Sequence, residues 1–172
     1  MSLSNKRVLV TGATGLIGKE LIKPLLKAGF EIHALSIDET MPDCGVHWVR
    51  CNLFDPRATE AVFKEVKPEY LLNFAWATTG DYLKSNTNFD FLTAGISLMK
   101  FFHLNGGRRA VYAGTCFEYD FKDEPLKEDD LVKPQTTYGK CKNLLRDAAE
   151  LYCANNGISF GWGRIFYVYG RN

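Results

Sequence analysis

Tyr138 and Lys142 stand at positions i and i+4 of a helical pattern, so their side chains share one helix face. An ammonium beside a phenol favours the tyrosinate and lowers a pKa that is normally about 10. Such a tyrosine exchanges a proton with a hydroxyl or a ketone near neutral pH. A packed ring beside a solvated amine has the same spacing, so the pair gains meaning only from its company. That company is the run Thr11-Gly12-Ala13-Thr14-Gly15-Leu16-Ile17-Gly18. Gly12 would allow a tight turn, Gly15 a close backbone approach to a pyrophosphate, and Gly18 the packing of helix on strand. The helix N-terminus then faces the negative charge. Taken alone, the run also suits an ordinary loop-to-helix junction.

These residues need elements to place them. Arg7 to Thr11 reads as a buried strand. Leu16, Leu21, Ile22, Leu25 and Leu26 recur at helical spacing, with Pro24 inside and Gly29 as the stop. Glu31 to Leu35 and Val46 to Cys51 read as strands. Asp55-Pro56 signals the start of a helix to about Val66. Tyr70 to Phe74 is a fourth strand. A long helix is expected from Asp81 to Leu104, ended by Gly106-Gly107, and a fifth strand from Arg109 to Ala113. Residues 118–135, with Pro125 and Pro134, read as a loop. A helix from Thr137 to Asn155 stops at Asn156-Gly157, and Ser159 to Phe166 is a sixth strand. Strands alternating with helices imply an α/β fold, a Rossmann doubly wound parallel sheet of order 3-2-1-4-5-6.

On these motifs the chain resembles the extended short-chain dehydrogenase/reductase family, the NAD(P)-dependent epimerases and dehydratases of nucleotide sugars. The glycine run fits that family's cofactor turn. Asn73-Phe74-Ala75-Trp76 resembles its fourth-strand motif, and Ala113-Gly114-Thr115 its Ser/Thr site. Tyr138-Gly139-Lys140-Cys141-Lys142 is similar to its Tyr-x-x-x-Lys. Arg164 to Gly170 resembles its Arg-x-x-Asn-Val-Tyr-Gly, with Tyr167 where Asn is usual. The resemblance implies three catalytic residues. Tyr138 is the acid/base, helped by the positive nicotinamide ring. Lys142 lowers its pKa and holds the nicotinamide ribose, and Thr115 bonds the same sugar oxygen. It implies a cofactor, NAD or NADP, on Gly12, Thr14, Gly15, Leu16, Ile17 and Gly18. Ser36, Asn52 and Leu53 would flank its adenosine. Phe74, Ala75, Trp76 and Ile165 would line the remainder with Tyr138 and Lys142. No metal is expected.

Three departures narrow the expectation. The dehydratases carry a carboxylate directly after the Thr, whereas Cys116 and Phe117 stand here and Glu118 comes one residue late. Weight therefore moves to an epimerase or 4-ketoreductase. Cys116 reads as a small buried thiol rather than a nucleophile. Second, the segment Leu35-Ser36-Ile37-Asp38-Glu39 leaves NAD and NADP unresolved, because Ser36 takes the usual acidic position and Asp38 lies past the expected strand end. Third, the family runs on past the sixth strand into a substrate lobe. Residues 1–172 are therefore expected to form one domain, truncated before that lobe.

Composition bounds the rest. A chain of 172 residues has the size of one domain. Net charge is +1, which gives no electrostatic case for nucleic acid or a membrane surface. Cys44, Cys51, Cys116, Cys141 and Cys153 form no Cys-x-x-Cys pair, and read as reduced thiols of a cytoplasmic protein. No stretch is apolar enough for a membrane span or a signal peptide, and Met1-Ser2-Leu3 carries no weight. The expected partner is a nucleotide-sugar substrate. A homodimer is expected through a four-helix bundle of the helices near 81–104 and 137–155. Two other readings remain open. One is a non-catalytic dinucleotide-binding module, and the other is a reductase of a non-nucleotide ketone.

Overall fold

The computed structural model describes residues 6–38 and 45–169. Met1 to Leu3, Glu39, Cys44, Gly170, Arg171 and Asn172 lie outside the described residues. Six parallel strands form one sheet of order β3-β2-β1-β4-β5-β6. In chain order these are β1 (Lys6–Thr11), β2 (Phe30–Ser36), β3 (His47–Arg50), β4 (Tyr70–Asn73), β5 (Arg109–Thr115) and β6 (Ser159–Ile165). The helices between them are α1 (Leu16–Lys27), α2 (Pro56–Val66), α3 (Thr87–Leu104) and α4 (Thr137–Asn156). The expected doubly wound α/β fold and its strand order are therefore observed. Among the described residues no helix is long and apolar enough to cross a membrane.

Strand alternation divides the core in two. Val8 and Val10 of β1 point to one face and pack with Ile22 of α1 and with Ile32 and Ala34 of β2. Leu9, between them, points to the other face, where Phe63 of α2, Phe102 of α3 and Leu145 of α4 meet Leu71 and Tyr112. Both faces are covered, which is why β1 is almost continuously apolar. The α3 and α4 axes meet closely at Gly95, where a Cβ would press on the Leu145 side chain. The Tyr112 hydroxyl donates to the Gly95 carbonyl at 3.0 Å, fixing β5 beneath α3.

Helix starts follow local chemistry. Asp55 caps α2 by accepting from the Arg57 and Ala58 amides, with Pro56 at the first position. Thr136 caps α4 by accepting from the Gly139 amide at 3.0 Å. Gly157, at φ +66°, ends α4 in the left-handed conformation. Strand ends move by one or two residues, and the largest difference from expectation is that α3 starts at Thr87, not Asp81. The Asn88 side-chain amide donates to the Tyr82 and Ser85 carbonyls, and the Ser85 hydroxyl accepts from the Thr87 amide. Those bonds hold 81–86 as turns instead of a helix.

Candidate functional site

All six strands are parallel, so their C-terminal ends share one edge, and the order reverses between β1 and β4. Ligands of such sheets sit outside that reversal. The Thr11 hydroxyl donates to Asn73 Oδ1 at 2.6 Å and accepts from the Ala75 amide at 3.2 Å, joining the ends of β1 and β4. The glycine turn sits directly above. Gly12 has φ +68°, and a Cβ there would lie 2.7 Å from the Ala75 nitrogen. At Gly18 a Cβ would collide with the Gly12 carbonyl oxygen. Gly15 precedes α1 with no side-chain cap, so the first-turn amides face outward without a side-chain acceptor. A helix N-terminus left open in this way can receive an anion.

Two cavities open on this turn. One, of ≈ 280 Å³, is lined by Leu16, Ile17 and Gly18 of the turn and by Thr115, Tyr138, Lys142 and Ile165. The other, of ≈ 390 Å³, is lined by Thr14, Ser36, Asn52, Leu53 and Ala75. Gly12, Gly15, Phe74 and Trp76 border both. An elongated ligand with a phosphate bridge at its middle matches this shape, and the turn has no room for larger side chains. The residues singled out from the sequence are thus brought together.

The polar end of the first cavity is built by β5 and α4. Gly139 lets α4 approach closely, since a Cβ there would collide with the Phe117 carbonyl oxygen. Tyr138 stands edge-on to Tyr82 at 5.1 Å and to Trp76 and Phe117 at 6.0 Å. Lys142 is buried, and its Nζ donates to the Ala113 carbonyl at 2.8 Å. The ammonium lies 4.0 Å from the Trp76 ring centre and 5.9 Å from that of Tyr138.

These surroundings set the proton affinities, and one expectation is corrected. Burial pushes the Tyr138 phenol up to about 12, while a hydrogen bond with Thr115 pulls the other way. Burial also pulls Lys142 down to about 7, opposed by the charge of Glu118. The lysine, together with a nicotinamide ring, was expected to lower the tyrosine's pKa. Lys142 is not among the groups that act on the Tyr138 phenol here, and burial of the tyrosinate dominates.

The second cavity brings together Ser36, Asn52 and Leu53, the residues expected from the sequence to flank an adenosine. The Ser36 hydroxyl donates to Asp38 Oδ2 at 3.2 Å and accepts from the Asp38 amide at 3.1 Å. Asp38 lines this cavity just past β2, the position that left NAD and NADP unresolved in the sequence. Asn52 Oδ1 accepts from the Phe54 amide at 3.0 Å, which makes it a turn residue with one lone pair remaining.

Glu118 is the residue whose role was not foreseen. It is fully buried and lines neither cavity. Its Oε1 accepts from the Thr115 amide at 2.7 Å, and its Oε2 accepts from Arg164 Nε at 2.9 Å. The signal was present in Thr115-Cys116-Phe117-Glu118, a capping box over a short 3₁₀ turn. Cys116 is buried too, and burial pushes its thiol up, as befits a packed side chain.

Comparison with known proteins agrees with this geometry. The model of the NAD dependent epimerase/dehydratase family matches residues 8–172. The chain is 30% identical over 169 residues to the spore coat polysaccharide biosynthesis protein SpsK of Bacillus subtilis (strain 168), covering 96% of this chain and 54% of SpsK. It is 25% identical to the dTDP-6-deoxy-L-talose 4-dehydrogenase (NAD(+)) of Aggregatibacter actinomycetemcomitans, covering 95% of this chain and 62% of that one. Its fold superposes on the Thermus thermophilus UDP-glucose 4-epimerase, solved with NAD, at a TM-score of 0.81 and 25% identity, covering 92% of this chain and 54% of that one. The chain therefore spans about half the length of such relatives. With the fold, the glycine cradle and the family match in accord, this chain belongs to the NAD-dependent epimerase/dehydratase family.

Proposed function

We propose that the chain is the dinucleotide-binding part of an NAD(P)-dependent epimerase or 4-ketoreductase acting on a nucleotide-diphosphate sugar. The observation that carries this reading is that Thr115, Tyr138 and Lys142 line the same cavity as the glycine turn. Gly12, Gly15 and Gly18 would seat the pyrophosphate. Asp38, held by Ser36, would accept from an adenosine ribose hydroxyl, which favours NAD over NADP. When bound, the cofactor supplies a hydride acceptor and donor at its nicotinamide ring.

The chain's own residues then handle the proton. Tyr138 takes the proton of a sugar hydroxyl as its carbon is oxidised, and returns it when the ketone is reduced. Thr115 bonds the same oxygen and orients it. Lys142 holds the nicotinamide ribose, and its charge supports the tyrosinate during the step. The absence of a carboxylate at Cys116 and Phe117 argues against water elimination, and Glu118, bonded to Thr115 and Arg164, does not replace it.

On this reading residues 1–172 are one domain, about half the length of the relatives it matches. A homodimer would use the α3–α4 face, where Ile96, Leu144 and Leu151 are exposed around a shallow apolar groove. Four buried free thiols among the described residues accord with a cytoplasmic location. The direct test is hydride transfer to NAD+ from nucleotide-diphosphate hexoses. Tyr138→Phe should slow it by about 10²–10⁴-fold while leaving cofactor affinity unchanged. Transfer by Tyr138→Phe at the original rate would overturn the reading.

A further inference from the structure

Glu118 is the most enclosed charged side chain among the described residues, and the proton chemistry above does not use it. Both oxygens face N–H donors. Trp162 Nε1 lies 3.1 Å from each, in addition to the Thr115 amide and Arg164 Nε. The Arg146 guanidinium of α4 approaches to 3.9 Å. One carboxylate thus touches the end of β5, two side chains of β6 and the helix that carries Tyr138 and Lys142. The sheet register enforces this, because Gly114 pairs with Arg164 and Tyr112 with Trp162. Gly114 leaves the space, since a Cβ there would collide with Trp162 Nε1 and crowd Glu118.

We propose that Glu118 is a positioning residue for the site, joining Thr115 to α4 and β6 in one arrangement and supplying the buried negative charge that Lys142 feels. The inference rests on the functional reading above, and Glu118 itself lines neither cavity. Its reach extends to the strap 119–135. Arg164 Nη1 donates to the Tyr119 hydroxyl at 3.0 Å, and the Glu118 carbonyl accepts from the Lys133 amide at 3.0 Å. A bridge between Tyr119 and Val132 closes the strap. Geometry therefore makes Glu118 the point where catalytic threonine, catalytic helix and strap meet.

The electrostatic part follows from what surrounds Lys142. On α4 it faces Tyr138, on β5 the Ala113 carbonyl and after β4 the Trp76 ring, while the charge of Glu118 reaches it from the 3₁₀ turn. Burial weakens its hold on a proton, and Glu118 opposes that. Around Glu118 stand Arg146 and Arg164, with Asp147 and Glu150 beyond Arg146. Removing the carboxylate should loosen the Lys142 proton. Removing Arg146 should tighten it, by leaving Glu118, Asp147 and Glu150 less neutralised.

The test compares Glu118→Gln and Arg146→Gln with the unmodified chain. Heteronuclear NMR of labelled lysine side chains follows the Lys142 titration, assigned with Lys142→Met, and calorimetry follows NAD+ affinity. Glu118→Gln should weaken the Lys142 proton affinity about tenfold, and Arg146→Gln should strengthen it several-fold. Glu118→Gln should also weaken NAD+ binding about tenfold, through Lys142 and the loosened end of β5. A purely structural role would lower the melting temperature and leave the Lys142 titration in place. That result overturns the proposal, as does an unmoved titration in Arg146→Gln if Glu118→Gln fails to fold. An unmodified chain that does not bind NAD+ defeats the functional reading, and the NMR titrations still decide this one.

Discussion

The Lys142 ammonium is held between the Trp76 ring, 4.0 Å from its centre, and the Ala113 carbonyl, 2.8 Å away. Trp76 is fixed in turn by a 2.8 Å bond from its Nε1 to Asn88 Oδ1 and by stacking on Phe91 at 5.1 Å. The indole stands where the two cavities meet. Trp76→Phe, which keeps the stack and loses the Asn88 bond, should change NAD+ affinity by about tenfold or less. Trp76→Ala should expose Lys142 to water and raise its proton affinity. Isothermal titration and a lysine pH titration check the two.

Burial of Lys142 ties stability to pH. Its value is about 7 in the fold against an ordinary 10.5, so between those limits the unfolded chain holds a proton that the folded chain has released. Stability must therefore rise as pH increases from about 7, by up to about 1.4 kcal/mol per pH unit for one proton. The four buried thiols, pushed up by burial, act in the opposite direction as pH approaches about 9. Urea unfolding between about pH 7 and 8.5 therefore reads the lysine as the difference between the unmodified chain and Lys142→Met, which share those thiols, and the variant should have the lower slope. An equal slope in Lys142→Met contradicts the account.

Two glycines give opposite expectations for the same substitution. Gly18→Ala places a Cβ on the Gly12 carbonyl, a backbone contact that has no means of yielding. It should cost about 1–3 kcal/mol and lower the melting temperature by several degrees. Gly163→Ala in β6 meets nothing within 4 Å and has no left-handed φ. That substitution should be neutral or stabilise by about 0.4–1 kcal/mol. Thermal unfolding of the two variants side by side separates them.

The exposed face of α3 and α4 makes a prediction about assembly. Leu144 and Leu151 are more than half exposed, at 54% and 65%. If this face pairs two chains, Leu144→Glu with Leu151→Glu should convert a dimer to a monomer without lowering the stability of the fold. Light scattering reads the mass. A chain that is monomeric before the change removes the dimer from the reading.

The order of the six strands was legible because short strand patterns alternate with helical ones along most of the chain, and α2 and α4 carry start signals of their own. Asp55-Pro56 shows this best, as the cap and the first-turn proline are adjacent in sequence and act locally. The start of α3 was not legible. Helical spacing continues back to Asp81, but the side chain of Asn88 reaches the Tyr82 and Ser85 carbonyls and breaks the pattern. That Thr115, Tyr138 and Lys142 meet the glycine turn in one cavity was readable because each motif sits at the end of a strand or the start of a helix. Glu118 was readable only in part. Its bond to the Thr115 amide is local, whereas its bonds to Trp162 and Arg164 depend on the register of β5 against β6. Ionisation was the least legible, since the burial that lifts Tyr138 depends on Tyr82, Trp76 and Phe117 converging from three segments.

The central claim is that the glycine turn and the Thr115–Tyr138–Lys142 cluster form one dinucleotide site. Calorimetric titration of the chain with NAD+ tests it most directly. The account predicts saturable binding with a Kd below about 1 mM, lost in Gly18→Ala and kept in Tyr138→Phe. No binding of NAD+ or NADP+ at millimolar ligand, by a chain that unfolds cooperatively in the same buffer, would contradict it.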